Sequence, residues 1–206
     1  MRRFISGILI IAGLALISIA GYQMYVTKKS TNNALAEAEQ LVNKQKNAKE
    51  AENSETEISP EDFVPKDDDV IGIVRIPSID AQLPIIEGTD EEMLEKGVGH
   101  YSSTALPAEN EQILLSGHRD TVFRRFGELE IGDRFIIEMP YGEYEYEMRE
   151  SEIVSADDTS VIRPMGEEVL TVSTCYPFSY VGSAPDRFVL YAYPIDKGDD
   201  KDQEDE

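Results

Sequence analysis

One cysteine and two histidines occur in 206 residues, so the side chains able to serve as nucleophile and base are few. Cys175 closes an apolar run that begins at Val169, continues through Thr171-Val172-Ser173-Thr174 and gives way to Tyr176-Pro177. A strand end fixes a side chain while the loop beyond it leaves room for a substrate, which suits a thiol nucleophile. The competing reading is a buried small apolar residue. His118 ends the strand-like run Ile113 to Gly117, within Leu115-Ser116-Gly117-His118-Arg119-Asp120. Two strand ends on one rim can meet, and an imidazole there can act as base and acid for a thiol; taken alone, it reads first as a satisfied structural histidine. His100, between Gly97-Val98-Gly99 and Tyr101, reads as a loop histidine bonded to backbone. Arg187 opens the last apolar run, Arg187-Phe188-Val189-Leu190-Tyr191. Its always-charged planar guanidinium could hold a substrate carbonyl or a developing oxyanion, or could be a plain surface cation.

These residues need a frame, and the pattern from Val70 onward is all-β. Short apolar runs at Ile71 to Ile76, Leu83 to Ile86, Ile113 to Leu115, Phe135 to Ile137, Val169 to Ser173 and Phe188 to Tyr193 are bounded by proline, glycine and acids, which implies a barrel or a sandwich. Glu143 to Arg149 alternates strictly, with Tyr144, Tyr146 and Met148 on one face, as a half-buried antiparallel strand should. Helices are expected at Asp90 to Lys96, capped by Thr89, and at Thr121 to Phe126, capped by Asp120. The loop from Ser155 to Gly166 is the longest without a period, and long loops on β scaffolds often bind.

The flanks are of another kind. Phe4 to Tyr22 is almost wholly Ile, Leu, Ala, Gly and Ser behind Arg2-Arg3, and is long enough to cross most of a bilayer. Residues 1–29 therefore read as an N-terminal membrane anchor, with Tyr22 and Tyr25 at the interface; cleavage after Ser18-Ile19-Ala20 is the alternative. Residues 30–69 read as a polar, flexible stalk with good helix formers from Ala34 to Glu52 but too few large apolar residues for a coiled coil, 70–195 as the folded domain and 196–206 as an acidic disordered tail without a second anchor. A formal net charge of -22 argues against nucleic acid as a partner. A single cysteine also excludes an intramolecular disulfide, so the core alone must hold the fold outside the cell.

Thr171-Val172-Ser173-Thr174-Cys175 resembles the sortase signature Thr-Leu-x-Thr-Cys, with His118 well before it and Arg187 shortly after, as in those cysteine transpeptidases. The resemblance runs from Ile73-Val74-Arg75-Ile76-Pro77 to Phe188–Tyr191 and covers roughly Val70 to Ile195; Val172 replaces the usual leucine. It implies an eight-stranded β-barrel that cuts a Leu-Pro-x-Thr-Gly-like sorting signal after threonine. The resulting thioacyl enzyme is resolved by a cell-wall amine such as that of lipid II. In that scheme Cys175 is the nucleophile, His118 the general acid and base, and Arg187 the stabiliser of substrate and oxyanion. Thr174 is a supporting residue at the substrate, and Val161, Ile162 and Pro164 form an apolar groove for the signal's Leu and Pro. Clients would be secreted proteins carrying the signal, and the enzyme a single-pass protein of the cell membrane with its catalytic domain outside.

Class D fits best. Asp157-Asp158-Thr159-Ser160-Val161 is similar to that class, and the Asp-Pro-aromatic lid of pilin-polymerising class C enzymes has only a loose echo in Asp62-Phe63-Val64-Pro65. No cofactor is required. Some relatives bind calcium, and Glu109, Glu150, Glu152, Asp157 and Asp158 permit Ca2+ without a spacing that demands it. A free thiol beside a free imidazole is ionised for roughly a tenth of the time near pH 7.5. A weakly coupled pair therefore works as a minority species with a two-limbed pH-rate profile. The rival readings are a pilin-polymerising sortase, a thiol endopeptidase using water as acceptor, and a tethered extracytoplasmic binding module with a buried structural cysteine.

Overall fold

A computed structural model describes residues 2–50, 58–179, 182 and 184–195. The acidic stretch 196–206 and residues 51–57 of the expected stalk lie outside the described residues. The apolar runs form eight strands: β1 (Val70–Ile76), β2 (Ala81–Glu87), β3 (Val98–His100), β4 (Gln112–Gly117), β5 (Arg134–Met139), β6 (Gly142–Ser155), β7 (Val169–Tyr176) and β8 (Asp186–Pro194). They close into a barrel in the order β1-β2-β3-β4-β7-β8-β6-β5. Closure removes the sheet edges that a sandwich would have to protect. The β2–β3 and β4–β7 pairs are parallel and the other six antiparallel.

Alternation sorts the side chains. Leu170, Val172, Leu190, Ala192, Ile113, Leu115, Phe135, Ile137, Tyr146 and Met148 fill the barrel, while their odd-numbered neighbours on β7 and β8, such as Val169, Val189 and Tyr191, form a smaller cluster outside it. The alternating segment of β6 behaves as its pattern predicts until a register shift between Met148 and Glu150, after which the strand continues to Ser155 along β8. β3, read as a loop, is a three-residue strand wedged between β2 and β4. It is too short to show a period. Gly99 lets it approach, since a Cβ there would fall 2.5 Å from the Gly88 carbonyl oxygen.

The helices differ from expectation. The first, α2, covers only Glu91–Leu94, with Asp90 rather than Thr89 at the cap position. Residues 120–125 are successive turns, followed by a 3-10 turn at Phe126–Glu128. Thr121 and Phe123 both donate to the His118 carbonyl, and Phe126 donates to that of Phe123, a tight pattern that buries Phe123 and Phe126 beneath the loop.

The largest difference is α1, a single helix from Arg2 to Glu50, about 70 Å long. Within the expected stalk, 30–69, a partly helical but solvated spacer was anticipated. Instead Ala34, Ala38 and Val42, four residues apart, are buried, and Ala38 and Val42 pack with Leu35 against Ile73 and Val70 of β1. Gln82 Nε2 adds a 3.0 Å bond to Glu39 Oε1. Small side chains allow close approach to the barrel wall, and a search for large apolar residues overlooks such a face. Earlier on the same helix, Ile8, Leu9, Ile10, Ile11, Leu14, Leu16 and Ile17 are all exposed. That apolar part is long enough to cross a membrane and is a candidate anchor.

Candidate active site

Three strand ends converge on one rim. β4 and β7 run parallel, with Gly117 beside Thr174; β7 and β8 run antiparallel, with Cys175 opposite Arg187. Cys175 follows a buried residue and so points to the outer face, where it is partly exposed. His118 continues from β4 into the same place. Cys175, His118 and Arg187 together line a cleft of about 560 Å³. Tyr180, Val181 and Ser183, in the loop between β7 and β8, lie outside the described residues.

Local packing fixes each end. Gly117 must lack a side chain, because a Cβ there would fall 2.5 Å from the Phe123 ring that folds back beneath it. That fold-back turns the chain just after β4 and leaves His118 at the rim. Its Nε2 lies 3.6 Å from Glu91 Oε1 of α2, a contact at the long end for an ion pair, between a partly exposed imidazole and an exposed carboxylate. On β7, Thr174 is buried and its hydroxyl donates to the Gly117 carbonyl at 2.8 Å, tying the cysteine strand to the histidine strand. Beyond Cys175 the Tyr176-Pro177 peptide is cis, and Phe178 meets Tyr176 and Phe188 edge-on at 5.4 and 5.3 Å. Arg187 Nη1 donates to the carbonyls of Asp186 at 3.1 Å and Ala184 at 3.5 Å. Its remaining N–H groups make no hydrogen bond to another described residue.

Arg119 has no role in the sequence reading, yet it is the most buried cation at the site. Its side chain is 4% exposed. It donates through Nη1 to the Pro177 carbonyl at 2.7 Å and through Nε and Nη2 to the Asp120 carboxylate. The hydrogen bond with Asp120, and to a smaller degree attraction to an ionised Cys175, hold the guanidinium above its ordinary value. The signal available in sequence was a basic residue directly after the candidate histidine.

The other predicted residues fall elsewhere. His100 is buried on β3, with Nδ1 2.7 Å from Glu87 and Nε2 2.9 Å from the Ala105 carbonyl, so both ring nitrogens are engaged in the fold. Val161 is buried with Val169, Val189 and Tyr191 on the outside of the barrel; Ile162 and Pro164 are exposed beside it. None of the three lines the cleft. Phe63 packs against Tyr141, ring centroids 5.4 Å apart, rather than over Cys175. Among the acids considered for calcium, Glu109 accepts from Leu106 N, Glu152 from the Tyr191 hydroxyl and Asp158 from Ser160 N. Among the described residues no group of three or more His, Cys, Asp or Glu side chains gathers as a metal site.

A closed eight-stranded barrel with a thiol, an imidazole and a guanidinium gathered on one rim is the frame of a cysteine transpeptidase. The sortase domain model matches residues 74–195, and the chain belongs to the sortase family. It is 46% identical to sortase D of Bacillus subtilis over 193 residues, 93% of this chain and 98% of that protein. Sortase A of Bacillus anthracis is 26% identical over 110 residues, 52% of each chain. Among solved structures, a sortase D5 transpeptidase of Clostridium perfringens superposes with a TM-score of 0.66 at 26% identity, over 82% of this chain and 99% of that one. A lid mutant of sortase A from Corynebacterium diphtheriae superposes with a TM-score of 0.58 at 28% identity, over 65% and 74%. The family acts on secreted proteins that carry sorting signals, generally without a cofactor.

Proposed function

We propose that this chain cleaves a Leu-Pro-x-Thr-Gly-like sorting signal after its threonine and transfers the new carboxyl end to a cell-wall amine, such as that of lipid II. The observation that carries the reading is the direct opposition of Cys175 and Arg187 across β7 and β8, with His118 in the same cleft. In the first half-reaction the Cys175 thiolate attacks the threonine carbonyl, and Arg187 donates to the oxygen as negative charge develops there. His118, protonated, gives its proton to the departing glycine amine, and a thioester remains on Cys175. In the second half-reaction the incoming amine attacks the thioester carbon, His118 takes the amine's proton, and the thiolate leaves. The partly exposed position of Cys175 speaks against a merely structural buried thiol.

Thr174 serves this chemistry by holding the cysteine strand to the histidine strand. Ile162 and Pro164, exposed beside the buried Val161, supply an apolar surface by the outer face of β7 and β8 along which the Leu-Pro part of the signal can extend. α1 crosses the membrane once, with residues 1–29 as anchor and the barrel outside the cell. The tyrosines near Val26 and the paired Lys28-Lys29 suit the outer interface.

The test is to incubate the full chain in detergent with a Leu-Pro-x-Thr-Gly peptide and a small amine, and to follow products by mass spectrometry. A Cys175-linked acyl adduct and an amine-dependent transfer product are expected, and both should vanish in Cys175→Ala. Product that forms equally with and without the amine would make the enzyme an endopeptidase.

A further inference from the structure

A second groove, of about 800 Å³, adjoins the catalytic cleft and shares Thr27, Asp120 and Thr121 with it. One wall is α1 from Ala20 to Asn32; the other is Leu83 with the turns from Asp120 to Arg124. Ala20, Met24, Tyr25, Leu83 and Val122 make much of the surface apolar, and Lys28 and Arg124 bring two cations to it. The Arg124 guanidinium donates only to the Asp120 backbone carbonyl, at 2.9 and 3.3 Å, and Lys28 makes no ion pair with another described residue. Asp120 is the single acid along this groove, and its carboxylate is engaged by Arg119. An uncompensated cationic pair is out of character for a chain of formal net charge -22.

Height matters as much as charge. The apolar run of α1 ends at Val26, and the next residue, Thr27, already lines the catalytic cleft. From Ala20 to Lys28 the helix rises about 12 Å, enough to pass from the outer acyl chains through a headgroup layer roughly 6 Å deep. We propose that this groove seats an anionic phospholipid of the surrounding bilayer, its acyl chain against Ala20, Met24 and Val122 and its phosphate between Lys28 and Arg124. The catalytic cleft then opens at the headgroup layer, where a lipid-linked acceptor amine and a sorting signal leaving the membrane both pass. This rests on the reading of α1 as a membrane anchor.

The full chain is reconstituted in nanodiscs of mixed phosphatidylglycerol and phosphatidylcholine and examined by native mass spectrometry. Preferential retention of phosphatidylglycerol is expected, falling roughly fivefold for each charge removed in Lys28→Gln and Arg124→Gln. Lys29→Gln, which removes the same charge from a residue that does not line the groove, should leave retention near the wild-type value. The chain has no tryptophan, so Thr121→Trp gives a single reporter that headgroup-labelled lipid should quench. Release of the chain from vesicles by alkaline carbonate overturns the anchor and the groove together. A chain that stays in the vesicles but retains both lipids equally, or loses as much in Lys29→Gln as in Lys28→Gln, overturns the groove alone.

Discussion

Cys175 and Arg187 stand directly opposite one another in the antiparallel register of β7 and β8. Opposed residues hold their Cβ atoms roughly 5 Å apart, so thiol and guanidinium can address one carbonyl group from adjacent strands. A slip of one residue would turn either side chain into the barrel. The pairing makes Arg187→Lys informative, because the charge survives while the planar donor fork is lost. With the proposed role, kcat/KM for a Leu-Pro-x-Thr-Gly peptide should fall by roughly a hundredfold, with the thermal unfolding midpoint unchanged. Near-normal turnover would remove Arg187 from the oxyanion site.

Thr174 allows a test that separates support from contact. Its hydroxyl is buried and bonded to the Gly117 carbonyl next to His118. Thr174→Val keeps the volume and deletes the donor, which should cost about 1–3 kcal/mol of stability. We expect a lower urea midpoint and a reduced kcat with little change in KM. A raised KM at unchanged stability would instead mean that Thr174 touches the substrate.

Much of the barrel was legible because seven of its strands carry apolar runs or strict alternation, and a period of two survives in sequence. β3 was not, since Val98–His100 is too short for a period and is held by glycine-permitted approach to β2 and β4. The docking of α1 was hidden for a related reason: alanine at four-residue spacing looks like helix propensity rather than an interface. At the site, residue type drew attention to Cys175, His118 and Arg187, and their shared cleft follows from which strands neighbour one another. Arg119 escaped because its importance lies in burial beside the loop after Cys175, which arises only when β4 and β7 are brought together.

The loop that carries Val161, Ile162 and Pro164 is pinned from the start of β4. Gln112 donates to the Val161 carbonyl at 2.7 Å and accepts from Arg163 N at 3.1 Å. The Glu111 carboxylate accepts from Met165 N at 2.5 Å, from Gly166 N at 3.4 Å and from Gln112 N at 2.9 Å. The bond from Met165, then that from Gln112, hold Glu111 below the usual carboxylate range against a smaller opposing effect of desolvation. The sign follows: a carboxyl with a depressed folded value stabilises the fold above its unfolded value and loses that contribution as pH falls through the folded one. Hydrogen exchange at the Met165 and Gly166 amides, corrected for intrinsic rates, should therefore be slow at neutral pH and speed up in acid. Glu111→Gln should exchange quickly at both. Unaltered protection in the variant would show that the loop is held by other contacts, and Gln112→Ala would then be the change that frees it.

Arg119 offers the sharpest separation between a structural and a chemical part in the site. Its guanidinium joins the Pro177 carbonyl, two residues past the thiol, to the Asp120 carboxylate. Arg119→Gln removes both the charge and the bridge, and should lower kcat/KM for the peptide and speed hydrogen exchange at Phe178. Arg119→Lys keeps the charge but cannot span Pro177 and Asp120 together, so exchange should stay fast while part of kcat/KM returns. A kcat/KM as low in Arg119→Lys as in Arg119→Gln would make Arg119 a brace for the loop after Cys175 and nothing more.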